Sequence, residues 1–287
     1  MTETVLIIGA TGEVGGHLLD ALAGAPVRVR AGVRDTARAA HLNQGSVQAV
    51  RFDYDDHESI ERAVDGADRV FLLTPPPSLL PHELDRAAPV VDAARRSGVR
   101  HLVRLSSMWA LHSPASAHRV IEQYIEASGV PYTFLRPNIF MQNFSVSQRD
   151  MVRGGGIYVA AGAGRVSFVD VRDVAAAAAA MLTSTGHEGK AYTLTGPEAL
   201  DYGEAAAQLS AAVGKPIAYH ALDDAALRDT LAQAGWAAGL IEYVSALYEA
   251  VRDGQRALLS SDIHHLVGRP PISFQQYARD YADVWKA

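Results

Sequence analysis

The chain has no cysteine among its 287 residues. That excludes a disulfide framework, thiolate catalysis and any zinc site built on cysteine. Lysine is nearly as scarce: of 26 basic residues only Lys190, Lys215 and Lys286 are lysines. A mechanism that needs a lysine therefore cannot draw on the first two thirds of the chain. No apolar run approaches the roughly 20 residues that span a bilayer; the longest, Val174–Leu182, is mostly alanine. The start does not read as a signal peptide, because Val5-Leu6-Ile7-Ile8 is followed at once by glycines. There is no basic block, and the net charge is −6, so nucleic acid is not the expected partner. Eleven histidines include no His-Glu-x-x-His, and adjacent His264 and His265 point to different faces of a helix, so no metal is expected. With 48% apolar and 20% charged residues, what remains is a folded, soluble, cytoplasmic chain acting on a small molecule away from membranes, with a homodimer compatible. The arginine and alanine bias is of the kind found in GC-rich bacterial genomes.

What is present alternates. Val5–Ile8, Val27–Val33, Val47–Phe52, Arg69–Leu73, His101–Ser106 and Tyr132–Leu135 read as strands. Helical patterns stand between them at Glu13–Ala23, Glu58–Val64, His82–Ser97 and Ala115–Ala127, with Ile139–Val152 after the sixth strand. Six such alternations predict an α/β chain with a doubly wound parallel sheet, the Rossmann arrangement. The prolines of Thr74-Pro75-Pro76-Pro77 end the fourth strand. Beyond Gly154-Gly155-Gly156 short strand-like pieces (157–159, 166–168, 191–194, 217–219) mix with helices near 201–213, 223–253 and 272–285. This predicts a nucleotide-binding domain over 1–153, completed by a strand and helix at 166–183, and a smaller, mostly helical substrate lobe over 154–287. Asp170 and Asp173 look like a helix cap with an acidic first turn.

The sharpest signal is Gly9-Ala10-Thr11-Gly12-Glu13-Val14-Gly15, which leaves the first strand and opens the first helix. The first glycine allows a tight turn, the second a close approach to a diphosphate, and the third close packing of helix on strand. The helix N-terminus then offers unpaired N–H groups to the anion. Arg34 follows the second strand and favours NADP(H) over NAD(H), since a guanidinium suits a 2′-phosphate. Were Asp35 to point at the ribose instead, the preference would reverse. Asp53 ends the third strand, where it suits either the adenine amino group or a turn.

On these residues the chain resembles the NmrA-like group of atypical short-chain dehydrogenases/reductases, NADPH-dependent reductases and quinone oxidoreductases among them. The matching segments are Gly9–Gly15, Leu105-Ser106-Ser107, Glu126–Asn143, Phe168–Ala175 and Tyr192–Glu198. The resemblance implies cofactor contacts at Gly9, Thr11, Gly12, Glu13, Val14, Arg34, Asp53, Thr74 and Ser106, with Pro137 and Asn138 beside the nicotinamide. It implies no particular substrate. The chain departs from many short-chain reductases in lacking Tyr-x-x-x-Lys, since no tyrosine has a lysine four residues on. In NmrA-like plant reductases a lysine stands eight residues before the glutamate that matches Glu126. Here that position is His118, whose unperturbed pKa near 6.5 suits proton transfer. His118 falls at the margin of the stripe formed by Val120, Ile121, Tyr124 and Ile125, and Glu122 one turn on is placed to hold and tune the imidazole. A solvated surface pair is the plain alternative.

Ser106 or Ser107 would bind a substrate carbonyl, unless both only end the strand. Met108, Trp109, Phe140 and Asn143 are candidates for the substrate pocket, or else for core. The expected activity is NADPH-dependent hydride transfer to a small or medium, largely apolar carbonyl, quinone, enone or imine. An NADP(H)-sensing regulator without turnover, or a non-redox enzyme with a retained cofactor, are the rival readings.

Overall fold

The computed structural model describes residues 2–75 and 83–286. In chain order the elements begin β1 (Glu3–Ile8), α1 (Glu13–Ala21), β2 (Val27–Val33), β3 (Val47–Arg51), α2 (His57–Val64), β4 (Arg69–Leu72), α3 (Glu83–Arg96) and β5 (His101–Leu105). They continue with α4 (Trp109–His112), α5 (Ala117–Ser128), β6 (Tyr132–Pro137), α6 (Arg149–Arg153), β7 (Gly156–Val159), α7 (Val171–Thr183) and β8 (Lys190–Leu194). The last are α8 (Tyr202–Val213), β9 (Ala218–Ala221), α9 (Asp224–Gln233), α10 (Ala238–Arg252), α11 (Asp262–Val267), α12 (Phe274–Asp280) and α13 (Asp283–Lys286).

Strands with apolar residues on both faces belong in the middle of a parallel sheet, covered by helices on each side. Val5 to Ile8 and Val70 to Leu72 are all buried, and β1 and β4 lie adjacent in a seven-stranded sheet of order β3-β2-β1-β4-β5-β6-β8. The register sets Ile7 beside Ala31 on one side and Phe71 on the other. Chain order reverses between β1 and β4, so the carboxyl ends of β1, β2 and β4 frame the crevice where such sheets bind ligands. On one face Ile60, Val64, Val90, Val91, Ile121 and Ile125 pack over Leu6, Leu72 and Phe134.

Two compact units divide the chain: 1–137 with 174–193, and 138–173 with 194–287. The division thus falls at Pro137 and Asn138, whereas the sequence pattern puts it at 153. β8 also joins the large sheet as its seventh strand, although its texture reads as part of the second lobe. The second unit holds the two-stranded parallel pair of β7 and β9 and a core rich in aromatic rings. There Phe144 meets Phe274 edge to face at 5.2 Å, and the Trp285 indole donates to the Phe144 carbonyl at 2.9 Å.

Several expected elements break for local reasons. The helix expected over 139–152 does not form as one piece, because its polar side chains compete with the helical ladder. Gln142 donates to Asp170 and accepts from the Val171 amide, while Ser145 and Ser147 donate back to the carbonyls of Gln142 and Asn143. The stretch 223–253 divides at Gly235, whose φ of 78° is the left-handed turn that ends helices. Residues 166–168 form no strand: Val166 makes a single bridge to Leu200. The helix expected from His82 is described from Glu83 onward, and His82, Pro76 and Pro77 lie outside the described residues.

A buried polar cluster closes the amino edge of the large sheet. Arg69 donates to Glu3 and to the carbonyls of Met181 and Ser184, tying the end of α7 to β4. Thr133 gives its proton to the His187 carbonyl, so its oxygen must accept from His101 Nε2, 2.8 Å away. That fixes neutral His101 as the Nε2–H tautomer, with Nδ1 turned to the Arg69 guanidinium. Burial pushes the His101 pKa down to about 4. A base depressed in the fold stabilises it fully above its unfolded pKa near 6.5, and that stability drains as pH falls toward 4. Denaturant melts are expected to lose about 3 kcal/mol over that window. His101→Gln should flatten this acid limb. An equally steep limb in the variant would assign the loss to other groups.

Candidate functional site

The crevice at the carboxyl ends of the strands is a cleft of about 430 Å³ lined by Gly9, Thr11, Gly32, Arg34, Asp53, Tyr54, Leu73 and Arg86 among others. Gly9 leaves β1 with φ +79° and its carbonyl accepts from Gly12 N at 3.0 Å, closing the turn. Gly12 caps α1 in extended conformation without a side-chain cap, and Glu13 and Val14 follow as the first helical residues. Their amide groups are left for an anion. A Cβ on Gly15 would lie 2.1 Å from the Gly9 carbonyl oxygen, so only glycine lets α1 start this close to the strand. The cradle fits a diphosphate, and a nicotinamide dinucleotide carries one.

At the cleft mouth Arg34 is exposed. Asp35 folds onto its own turn: its Oδ1 accepts from the amides of Ala37 and Arg38 at 3.0 and 3.1 Å, and its Oδ2 lies 3.5 Å from Arg38 Nε. Arg51 donates to the Arg34 carbonyl and is itself held by Asp56. Asp53 is half-buried in the lining, with one carboxylate oxygen taken by the Asp55 amide. Three lining residues escape sequence reasoning. Gly32 leaves room where a Cβ would crowd the Ile7 carbonyl at 3.1 Å. Tyr54 donates to the Leu73 carbonyl at 2.6 Å and so fixes the β4 exit. Arg86 pairs with Asp55 at 3.0 Å and lies over the Tyr54 ring. An arginine on α3 and a lone glycine or tyrosine beside a strand end carry no motif that marks them.

Thr74 accepts from Arg104 Nη1 at 3.3 Å. Arg104 is fully buried on β5, and its Nε and Nη2 have no hydrogen-bond partner among the described residues. The neighbouring Glu83 carboxylate is likewise buried and unbonded, and burial raises its pKa.

Glu122, expected to hold the His118 imidazole, is not the solvated member of a surface pair, the plain alternative: it is fully buried against the sheet. Its oxygens accept from Ser106 Oγ (2.6 Å), Arg136 Nε and Nη2 (2.9 and 2.6 Å) and Arg119 Nη1 (3.2 Å). Burial opposes its charge, but the hydrogen bonds from Arg136, Ser106 and Arg119 prevail and hold its pKa below the ordinary range. His118, one turn earlier on α5, is half-buried. Ser107 Oγ accepts from the Trp109 amide at 3.2 Å, steadying the turn into α4.

Met108 is fully buried and packs as core, not as pocket wall. Its amide donates to the Pro137 carbonyl, and Trp109 beside it is half-buried. In the second unit Phe140 bridges to Val169, and Asn143 accepts from the Gln148 amide. Asn138 donates from Nδ2 to Ser167 and to the Arg256 carbonyl, both at 2.8 Å, which makes it a structural tie. Its Oδ1 is buried with no hydrogen-bond partner among the described residues. Among those residues no group of three acidic or histidine side chains is placed to hold a metal, and no helix is long and apolar enough to cross a membrane.

Comparison with known proteins places this geometry in a family. Residues 1–258 match the NmrA-like family. An NAD(P)H azoreductase of Xenophilus azovorans is 33% identical over 99% of both chains. A (4-alkanoyl-5-oxo-2,5-dihydrofuran-3-yl)methyl phosphate reductase of Streptomyces griseus is 38% identical, covering 98% of this chain and 99% of its own. The triphenylmethane reductase of Citrobacter sp., solved with NADP(H), superposes with a TM-score of 0.85 at 28% identity, over 98% of this chain and 99% of the other. The chain belongs to the NmrA-like family.

Proposed function

We propose that the chain is an NAD(P)H-dependent oxidoreductase that favours NADP(H) and reduces a small or medium, largely apolar acceptor bearing a carbonyl, quinone, enone or imine. The observation that carries the cofactor preference is the division of labour after β2, with Asp35 folded onto its own turn and Arg34 left at the cleft mouth. Reductases of azo compounds and of an unsaturated lactone phosphate among the relatives support an electron-poor multiple bond as the acceptor.

When bound, the reduced nicotinamide supplies hydride. The glycine turn and the α1 N-terminus hold the diphosphate, Arg34 the 2′-phosphate, and Asp53 the adenine edge. Ser107 has its lone pair on the Trp109 amide and keeps its own proton, so it serves as donor to a substrate carbonyl. The Glu122 anchor at the end of β5 bears on His118. α5 runs back from the carboxyl edge, so four residues earlier lies about 6 Å further along the helix, toward the ligand edge of the sheet. We assign the proton to His118 on that placement.

Purified protein mixed with NADPH and a panel of quinones, enones, aldehydes, imines and azo compounds should consume reduced nicotinamide with at least one class. NADPH is expected to outperform NADH by about a hundredfold in kcat/KM. Tight NADPH binding without turnover on any acceptor would make the protein a cofactor-sensing regulator instead. For His118→Ala, kcat should fall about tenfold, below the usual hundredfold or more for a general acid because such acceptors draw hydride by their own electron demand. Cofactor affinity should be unchanged, and an unaltered kcat removes His118 from the mechanism.

A further inference from the structure

A hydroxyl has one proton to give and lone pairs with which to accept. Ser106 has given its proton away: Oγ lies 2.6 Å from Glu122 Oε1. The carboxylate cannot return it, because Arg136 grips both oxygens and Arg119 adds a third guanidinium contact. Glu122 is fully buried, so water cannot take the place of Ser106. The Ser106 amide is bonded to the Leu135 carbonyl at 2.8 Å, which fixes the strand end. What Oγ keeps for a further partner, on a residue that is 5% exposed, is therefore lone pairs alone.

We infer that Ser106 is an acceptor-only contact for an O–H or N–H donor on the nicotinamide-riboside half of the cofactor, and that Glu122 is the positioning residue that sets this polarity. The inference rests on reading the cleft as an NADP(H) site. It excludes Ser106 as the hydroxyl that polarises a substrate carbonyl, since two lone-pair-bearing oxygens would face each other. That task falls to Ser107. The donor on the cofactor side is either a ribose hydroxyl or the carboxamide N–H.

Binding titrations with three ligands separate these cases. NADP+ carries both donors, its 3-acetylpyridine analogue keeps the ribose hydroxyls but has no amide N–H, and 2′,5′-ADP has neither. Ser106→Ala should weaken NADP+ about five- to tenfold and leave 2′,5′-ADP unchanged. An equal loss on the acetylpyridine analogue assigns the ribose, and a loss on NADP+ alone assigns the carboxamide. Ser106→Thr, which keeps the hydroxyl, should restore binding. Glu122→Gln supplies an amide that donates to Ser106 Oγ and turns the hydroxyl proton outward, so it should weaken NADP+ by a similar factor, again sparing 2′,5′-ADP. A merely structural role for either residue would weaken both ligands together, and that result overturns the inference. So does wild-type NADP+ affinity in Ser106→Ala. Should Glu122→Gln not fold, the Ser106 variants decide alone. Failure of the wild-type protein to bind 2′,5′-ADP at all would instead remove the cofactor reading.

Discussion

Gly15→Ala is expected to reduce NADP(H) affinity more than a hundredfold and to lower stability by about 3 kcal/mol, the upper range for overpacking a close contact. The new Cβ would sit 2.1 Å from the Gly9 carbonyl oxygen and 2.8 Å from Ala10 Cα. These are backbone atoms, so no side chain can swing aside. Relief requires moving the Gly9 carbonyl, which breaks its bond from Gly12 N and turns the first amides of α1 off the diphosphate. Gly16→Ala is the internal control. A Cβ there meets nothing within 4 Å, and the change should be neutral or stabilise by up to about 1 kcal/mol through a less flexible unfolded chain. Thermal unfolding and NADP+ titration of both variants check the contrast. Equal behaviour of the two would mean that the close approach is not what the cradle depends on.

Sequence reasoning reaches this turn because its requirements are local: strand exit, glycine spacing and helix start all lie within a few residues of one another. The inner strands are legible for a similar reason, since burial on both faces makes Val5–Ile8 and Val70–Leu72 uniformly apolar. Glu122 is the opposite case. From helix spacing Glu122 reads only as a neighbour of His118 one turn on, either tuning its imidazole or paired with it in water. Only the alignment of β5 with β6, which sets Leu105 beside Leu135, brings Arg136 and Ser106 to one carboxylate. Partners 16 and 14 residues away leave no periodic trace. β8 escaped for the same kind of reason, because membership of a sheet depends on which edge remains open, and Lys190–Leu194 carries no mark of that. The unit boundary at Pro137 lies in a continuous strand-to-turn sequence, with no linker composition to announce it.

Arg34→Ala should weaken NADPH about a hundredfold while changing NADH by less than threefold. A guanidinium bonded to a phosphate contributes about 1.5–3 kcal/mol through charge-assisted hydrogen bonds, and NADH lacks that phosphate. Arg51, which donates to the Arg34 carbonyl, is held by Asp56 at 3.2 Å and does not take over the phosphate. Salt should act in the same direction, since Arg34 is exposed. Raising ionic strength from about 0.01 to about 0.15 M shortens the screening length from roughly 30 to 8 Å and should weaken NADPH more than NADH in the wild type. In the variant that difference should vanish. The preference is expected to collapse and not to invert, because Asp35 Oδ1 stays bonded to the amides of Ala37 and Arg38 and keeps the carboxylate on its own turn. A variant that prefers NADH by an order of magnitude would show that Asp35 leaves its turn once Arg34 is gone. A variant that keeps the wild-type preference would put the 2′-phosphate elsewhere in the cleft, with Arg86 the next cation on its lining.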